Sequence, residues 1–366
     1  DISLDYIKLY EPVAAGILCD RMETLIAATG QNGFHFVDEA APPALMRALA
    51  IEILKRKLNV SWWTNVRFEK SFTRDLCRLL KASGCIAVSG GLEVASDRLL
   101  TLIQKGITVA QVAQVNKHFT EAGIMVHAYL MYGFPTQTAQ ETIDSLEMVR
   151  QLFKAGVLQS AFWHLFTMTA HSPVGLHPEQ YQVSKLNEAT GAFANNDIAH
   201  IDPAGDHEIY GYGLAKSLLN YMHGTHLDEP LQKWFDFKVP RTSVAPDFIE
   251  KALQEPDAST SRPTTKVLWL GKQPTIDFFV QSKKGNSREM ATLSFTTKTD
   301  RQQIKVNRAQ GEWLIKILPE LSLGNKRQYT LQQVMDNYAE NNLDDFELFW
   351  DNKPVSNLYK FGLLKL

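Results

Sequence analysis

The stretch that decides the fold is Ile124-Met-Val-His-Ala-Tyr-Leu-Met131, followed by the turn Tyr132-Gly-Phe-Pro135. Its residues are mostly apolar, which is typical of a strand buried in a parallel sheet. Helical patterns lie on both sides of it, over residues 109–122 and 139–154. A strand placed between two helices in this way predicts an α/β fold.

The same alternation continues along the first half of the chain. Further strands are predicted at 33–38, 60–66, 86–89 and 159–165, and further helices at 12–30, 42–58, 73–83 and 96–105. The strands are apolar enough to be buried on both faces, so we predict five parallel strands with helices outside. A barrel and a doubly wound sheet both fit this pattern. A Gly-x-Gly-x-x-Gly motif after a strand is missing, which disfavours dinucleotide binding.

Composition limits the class of protein. The chain has 366 residues, of which 45% are hydrophobic and 21% charged, as in a folded protein of two or three domains. With 38 basic and 40 acidic residues the net charge is −2, which gives no general attraction to nucleic acid or a membrane surface. The first ten residues do not resemble a signal peptide, and the apolar runs are too short to span a bilayer. A cytoplasmic protein is predicted.

The three cysteines are Cys19, Cys77 and Cys85, separated by 58 and 8 residues. These spacings form neither a zinc knuckle nor a Cys-x-x-Cys pair nor a compact cluster loop. Each cysteine lies among apolar residues, so we expect small buried side chains.

Polar residues collect where the predicted strands end. In a parallel sheet or barrel, chemistry belongs at the carboxyl ends of the strands. Those ends carry Asp38, Glu39, Arg67, Glu93, the segment 129–133 and His164.

Three stretches at these ends resemble the radical S-adenosylmethionine (SAM) superfamily. Ser89-Gly-Gly-Leu-Glu93-Val-Ala-Ser96, with Lys105 beyond it, is similar to the family's fourth strand and turn. Gly133-Phe-Pro-Thr-Gln-Thr138 is similar to the turn after the fifth strand, and Phe36-Val-Asp-Glu39 takes the place of the second-strand motif that binds the amino-acid group. The likeness is to cobalamin-dependent or coproporphyrinogen-oxidase-like members. It implies a partial (β/α) barrel of radical SAM type over residues 1–180.

The resemblance also implies roles for individual residues. Asp38 or Glu39 would accept hydrogen bonds from the methionine ammonium, and Lys105 would bind the methionine carboxylate. The remaining cofactor-binding residues it implies are Glu93 and Tyr129 for methionine or ribose, and Met131 and Gly133 for adenine. Arg67 and His164 are substrate candidates. The structural alternatives are helix caps for Asp38 and Glu39, a pair with Arg98 for Glu93, a helix-end charge for Lys105, an ion pair for Arg67 and a core position for His164.

One family motif is missing. The superfamily binds a [4Fe–4S] cluster through Cys-x3-Cys-x2-Cys, and this sequence has no such motif. We therefore expect a fragment whose cluster cysteines lie upstream of Asp1 and which is inactive by itself. The resemblance implies a [4Fe–4S] cluster and SAM as cofactors and a reductant protein as partner, and it leaves cobalamin in an upstream domain open. The small-molecule or peptide substrate is not readable.

Other functions stay open at this point. The chain could be a barrel-derived binding or regulatory protein without radical chemistry, or an ordinary α/β-barrel enzyme for a phosphorylated substrate. A further cluster of potential metal ligands is irregularly spaced, which weakens a metal-site interpretation: Asp197, His200, Asp202, Asp206 and His207.

The second half divides into two parts. Residues 181–255 are predicted to form a helical and irregular extension that covers the barrel mouth. A Ser/Thr/Pro-rich linker follows at 254–265. Residues 266–366 are predicted to form a small α+β domain resembling a winged helix, with a short apolar segment at 313–318.

Overall fold

Five parallel strands form the main sheet of the protein. A computed structural model describes residues 11–38, 40–186, 196–255, 262–283, 286–296, 301–325, 327–343 and 345–366. The strands are β1 (Gly33–Phe36), β2 (Ser61–Val66), β3 (Cys85–Glu93), β4 (Met125–Tyr132) and β5 (Ser160–Leu165). They lie in the order β1-β2-β3-β4-β5, and every neighbouring pair is parallel. The predicted α/β fold with five parallel strands in sequence order is therefore confirmed.

One helix precedes the first strand, and the others lie between consecutive strands. They are α1 (Ala15–Thr29), α2 (Pro43–Arg56), α3 (Arg74–Ala82), α4 (Asp97–Leu102), α5 (Val109–Glu121) and α6 (Ala139–Lys154). A hydroxyl side chain caps the start of each of four helices by accepting a backbone N–H: Thr73, Ser96, Thr108 and Thr138. These caps account for the sharp helix starts that the sequence predicted.

Only one face of the sheet is fully buried. Along each strand, every second side chain points toward the helices. These side chains are buried, including Trp62, Val88 and Leu130 at 0% exposure. On the other face Tyr129 is 39% and Phe162 55% exposed. The prediction that the strands are buried on both faces is therefore wrong for the described residues. Because right-handed crossovers between strands in sequential order all pass on the same side, the connecting helices cover a single face.

Strand β3 extends beyond its predicted end. The sequence predicted a strand over residues 86–89. The strand instead continues to Glu93. A Cβ atom at Gly90 would lie 2.6 Å from Phe68 Cζ, so the glycine allows this ring to pack directly on the strand. The strand can continue past Gly90 because the Phe68 ring packs in the space that a side chain at Gly90 would occupy.

Smaller elements follow β5. They are α7 (Pro173–Leu176), a 3-10 turn (Pro178–Tyr181), the short strands β6 (Ser184–Lys185) and β7 (His200–Ile201), 3-10 turns at Glu208–Tyr210 and Leu231–Trp234, and helices α8 (Gly211–Met222) and α9 (Phe248–Gln254). Helix α8 contacts β5, and α9 contacts α5. This part of the chain therefore packs onto the sheet and its helices.

Residue contacts divide the chain into two units. The first contains the described residues up to Leu49 and residues 59–255, and the second contains residues 50–58 and those from 262 onward. The second unit has an antiparallel sheet in the order β11-β10-β9, formed by β9 (Thr275–Lys283), β10 (Asn286–Thr296) and β11 (Arg301–Asn307). A second antiparallel pair joins β8 (Val267–Trp269) to β12 (Leu363–Lys365). The domain boundaries read from the sequence stay predictions.

The helices of the second unit enclose an aromatic core. They are α10 (Arg308–Glu320), α11 (Leu331–Glu340), α12 (Phe346–Trp350), α13 (Lys353–Ser356) and α14 (Leu358–Phe361). Trp313 packs edge-on against Tyr338, with ring centroids 4.9 Å apart. The apolar segment 313–318 lies inside α10, where Trp313, Leu314, Ile317 and Leu318 face the core. Within the described residues, no helix is both long and apolar enough to cross a membrane.

Candidate functional site

Three of the predicted site residues contact one another at the carboxyl edge of the sheet. Glu93 ends β3 and has a left-handed backbone with φ of 58°. Lys105 Nζ donates to Glu93 Oε1 at 2.6 Å, and Arg67 Nη2 donates to the main-chain oxygen of Lys105 at 2.8 Å. A non-glycine residue in this backbone region is strained, and such strain concentrates at functional sites. Arg67 also forms the ion pair that was its structural alternative, with its Nε 3.6 Å from Glu69 Oε1. The edge therefore holds two cationic side chains and two carboxylates.

Gly91 makes room for this group. A Cβ atom at Gly91 would lie 2.0 Å from Glu93 Oε1 and 2.9 Å from Lys105 Nζ. Glu93 and Lys105 are 25% and 26% exposed at their side chains, so solvent or a ligand can reach them. The ion pair therefore lies directly over the backbone of β3 and remains accessible.

Glu93 does not form the predicted alternative pair with Arg98. Instead Arg98 binds Glu141 through two hydrogen bonds of 2.6 and 2.7 Å, and Arg98 Nη2 also donates to the Thr136 carbonyl at 3.0 Å. Burial by itself would raise the pKa of Glu141, but hydrogen bonds from Arg98 and Thr138 lower it overall. Arg98 therefore connects α4 to the turn that precedes α6, and Glu93 pairs with Lys105 instead.

We expect Arg98→Met to raise the pKa of Glu141, measured by NMR titration of the carboxyl group. In the native chain the lowered pKa contributes stability that is present at neutral pH and is lost as pH falls through that pKa. In the variant the loss should be smaller and should be complete at a higher pH, because the pKa of Glu141 in the folded state lies closer to its value in the unfolded chain. Arg74→Met is the control, because the Arg74–Glu121 pair at 3.1 Å is half exposed at both ends. An unchanged Glu141 titration in Arg98→Met would contradict this account.

The turn after β4 is held by a buried glutamine. Gln137 is 0% exposed, and its Oε1 accepts the N–H groups of Gly133 at 2.7 Å and Phe134 at 3.2 Å. Gly133 has φ of 75°, and a Cβ there would lie 2.8 Å from Leu165 Cδ1. The turn that carries the family resemblance is therefore tightly built, while its contact with adenine stays a prediction.

We expect Gln137→Leu to lower the free energy of unfolding by about 2 kcal/mol, because two buried N–H groups lose their acceptor. Urea unfolding followed by circular dichroism measures the change. Gln140→Leu, in the first turn of α6, is the control, since its hydrogen bond to the Arg241 carbonyl is exposed. Equal losses in the two variants would show that the turn does not depend on Gln137.

The structure describes Asp38 beyond the end of the first strand. Asp38 lies two residues beyond β1, its side chain is exposed, and its main-chain oxygen accepts from Asn65 Nδ2 at 3.1 Å. Helix α2 begins only at Pro43, so Asp38 is not its N-cap. Asn65 Oδ1 is buried and has no hydrogen-bond partner within the described chain. Glu39 lies outside the described residues.

An aromatic group lies on the open face of the sheet. Tyr129 of β4 is opposite Phe162 of β5, and Met131 is opposite His164. Ring centroids are 4.5 Å apart for Phe162 and His164, and 6.3 Å for Tyr129 and His164. Burial, and then the neighbouring His164, lower the pKa of His127, which is hydrogen-bonded to Ser160 at 2.9 Å. Tyr129 and His164 were predicted site residues, whereas Phe162 and His127 were missed.

The acidic and histidine-rich loop supports the turn after β4. His207 Nε2 lies 3.2 Å from Asp202 Oδ2, and that oxygen also accepts the Thr136 N–H at 3.3 Å. Across the described ranges, no group of three or more His, Cys, Asp or Glu residues is arranged to bind a metal ion. The metal-site interpretation of residues 197–207 is therefore not supported.

The cysteines are buried as predicted. All three have 0% exposure, and none forms a disulfide. Burial raises the pKa of Cys85 to about 12, and burial together with the neighbouring Cys85 raises the pKa of Cys77. Thiols with such pKa values are poor metal ligands, since the thiolate is the ligand form.

Comparison with known proteins identifies the class. Residues 24–149 match the family model of the radical SAM superfamily. The chain therefore contains a radical SAM domain, which confirms the resemblance read from the sequence. The matched segment includes the Glu93–Lys105 pair and the Gly133 turn.

Individual relatives cover parts of this region. An uncharacterised methyltransferase of Pyrococcus horikoshii is 26% identical over 152 residues, which are 41% of this chain and 33% of the relative. An anaerobic magnesium-protoporphyrin IX monomethyl ester cyclase of Rubrivivax gelatinosus is 29% identical over 137 residues, which are 36% of this chain and 24% of the relative. The structure of the radical SAM methyltransferase TsrM of Kitasatospora setae aligns with a TM-score of 0.44 at 19% identity, over 57% of this chain and 46% of TsrM. The chain thus spans a quarter to a third of the curated relatives.

Proposed function

We propose that the carboxyl edge of the sheet binds SAM and that the protein is a radical SAM enzyme that cleaves SAM reductively. The observation that carries the proposal is the radical SAM match over residues 24–149. The charged group at the edge supports it. SAM has an ammonium that the Glu93 carboxylate can bind and a carboxylate that the Lys105 ammonium can bind, while Arg67 stays a substrate candidate.

The residues of this edge fit SAM in two respects. Gly91 leaves room for the Glu93 carboxylate and the Lys105 ammonium, which a side chain at this position would displace. Asn65 Oδ1, near the end of β2, is a buried acceptor without a protein donor in the described chain. In the proposal Lys105 binds the methionine carboxylate, while Asp38 or Glu39 and Glu93 bind its ammonium. Tyr129, Met131 and Gly133 lie along the adenosine.

The residues present do not fit the [4Fe–4S] cluster that the family implies. Cys19 is on α1, Cys77 on α3 and Cys85 at the start of β3, and all three are buried. We therefore assign no catalytic step to a cluster held by these thiols, and propose that its ligands come from outside these 366 residues. Cobalamin would likewise require another part of the protein. A reductant protein and a small-molecule or peptide substrate complete the proposed set of partners.

We expect the 366-residue chain to hold no [4Fe–4S] cluster after anaerobic reconstitution with iron and sulfide. The visible absorption and Mössbauer spectra of the desalted chain measure this. A triple variant with Cys19, Cys77 and Cys85 changed to alanine is the control for adventitious iron. A stable cluster that disappears in the triple variant would show that the native thiols are ligands after all.

The proposed reaction is tested by anaerobic product analysis. A form of the protein with a verified cluster, mixed with SAM and a strong reductant, should release 5′-deoxyadenosine. If it binds SAM without consuming it, a non-catalytic binding or regulatory role is favoured instead. The observation that supports this non-catalytic role is the burial of all three cysteines.

A further inference from the structure

We propose that the free edge of β9 in the second unit binds an extended acidic segment of a partner protein by strand addition. The inference goes beyond the proposed function, because it concerns the other unit. In the order β11-β10-β9, strand β9 is the last, and it pairs with β10 along its whole length. Among the described residues, no strand pairs with its other side. The opposite edge of the sheet differs, since β11 is contacted by helix α13.

Alternate residues of β9 direct their backbone groups to this open edge. In an antiparallel pair, residues that exchange backbone hydrogen bonds alternate with residues that exchange none and whose side chains are closer. Ser282 and Ser287 are opposite each other, and their hydroxyl oxygens are 3.0 Å apart, as in the closer type of pair. By alternation Phe278 and Val280 belong to the same type, so their N–H and C=O groups point to the open edge. A partner strand can hydrogen-bond to these groups.

The edge lacks the features that usually protect an exposed strand. Folded proteins block such edges with lysine, proline or a bulge. Residues 275–282 contain neither lysine nor proline, and their register with β10 is continuous. Phe278 is 48% and Val280 63% exposed, and both lie on the face of the sheet that contains the buried Ala291. Arg308 covers part of the Phe278 ring at 4.9 Å and is itself paired with two glutamates. Phe278 and Val280 therefore form an apolar pair at an open edge.

The opposite face of the sheet is cationic. Residues 275–308 contain seven basic and three acidic residues, whereas the whole chain has a net charge of −2. Strand alternation places Lys305 and Arg288 on the same face as Phe279, together with the single acidic residue Asp277. Lys305 Nζ lies 5.6 Å from the centre of the Phe279 ring, although Lys305 belongs to β11. Its positive charge therefore reaches across the sheet to β9.

The two faces specify the side chains of the partner strand. A strand added at β9 continues the sheet, so its side chains alternate between the apolar pair on one face and the cationic face on the other. Apolar side chains fit the first face, and glutamate or aspartate fits the second. A second copy of this chain fits less well, because it brings another sheet with an excess of basic residues to the same place. An acidic segment with apolar residues at every second position is therefore the favoured occupant.

The test is fluorescence anisotropy on the 366-residue chain with a labelled peptide as long as β9, in which glutamate and valine alternate. This peptide should bind, and its affinity should fall as salt is added, because exposed charges contribute to the attraction. Val280→Pro should weaken binding at least about tenfold, since it removes an N–H group of the open edge and leaves the pairing with β10 intact. Lys305→Gln should weaken binding about threefold.

Matched controls separate strand addition from non-specific adhesion. Leu348→Ser should leave binding unchanged, because Leu348 is 75% exposed on α12 of the same unit and remote from the sheet edge in sequence. The same peptide with all of its backbone amides N-methylated should not bind, since it cannot donate to the edge. This peptide tests the native protein, so the result does not depend on how well Val280→Pro folds. Melting temperatures establish the folding of each variant.

Several results would overturn the inference. They are absence of binding, equal binding of the N-methylated peptide, or an effect of Leu348→Ser as large as that of Val280→Pro. Equal binding of a peptide with lysine in place of glutamate would contradict an acidic partner. A dimer of the native chain in light scattering that dissociates in Val280→Pro would assign the edge to a second copy instead. Because the experiment contains neither SAM nor a cluster, its failure would leave the proposed function standing.

Discussion

Gly84→Ala is expected to lower the free energy of unfolding of the first unit by more than about 4 kcal/mol. Gly84 joins α3 to β3 with φ of 98°, and a Cβ there would lie 2.0 Å from the main-chain oxygen of Val60. The Gly84 carbonyl also accepts the Trp62 N–H at 3.0 Å, which fixes this backbone contact. Because the clash is with backbone that enters β2, a side-chain movement cannot relieve it.

The matched control for this prediction is Gly156→Ala. Gly156 has φ of 71° and no atom within 4 Å of the added Cβ, so only the left-handed backbone is strained. We expect a loss of about 1 kcal/mol there. Guanidinium unfolding of both variants separates steric clash from backbone strain. Similar losses in the two variants would contradict the close approach of β2 and the α3–β3 turn.

Lys105→Met is expected to weaken SAM binding about 10- to 100-fold, as for removal of a charge-assisted hydrogen bond. In the proposal Lys105 pairs with Glu93 in the free protein and with the methionine carboxylate in the complex. Calorimetry under anaerobic conditions measures the dissociation constant. Melting temperatures establish that the variant is folded.

Lys154→Met is the matched control for Lys105→Met. Lys154 forms a pair of the same length, 2.6 Å, with Asp228, but this pair is exposed and remote from the carboxyl edge. Its removal should leave SAM binding unchanged. If both variants bind SAM as tightly as the native chain, the ion pair at Glu93 is structural and the site lies elsewhere.

The sheet could be predicted from the sequence because its signals are local. Apolar strands between helical patterns recur along residues 12–165, and capping hydroxyls such as Thr138 mark helix starts. Which faces of the sheet are buried could not be predicted in the same way, because this depends on the side of the sheet on which each crossover helix lies. The true end of β3 also escaped prediction, since Phe68 fills the space above Gly90 only in the folded chain.

The candidate site was predictable residue by residue but not as a set of contacts. Glu93, Lys105 and Arg67 all followed from strand ends and the family resemblance. Their hydrogen-bond partners could not be predicted, because Arg98 pairs with Glu141, which lies 43 residues away in the sequence. Phe162 was overlooked since an apolar residue within a strand usually indicates core. The available signal was the recurrence of ring-bearing residues at every second position, which places them on one face: His127 and Tyr129 in β4, and Phe162 and His164 in β5.

The most direct test of the central claim is hydrogen–deuterium exchange with and without SAM. The sample is a form of the protein with a verified cluster, and equilibrium dialysis establishes that SAM is bound. We predict protection in peptides covering residues 89–105 and 129–137, where the Glu93–Lys105 pair and the Gly133 turn lie. If both segments exchange at the same rate with and without SAM, and protection appears elsewhere in the chain, the result would contradict a SAM site at the carboxyl edge of the parallel sheet.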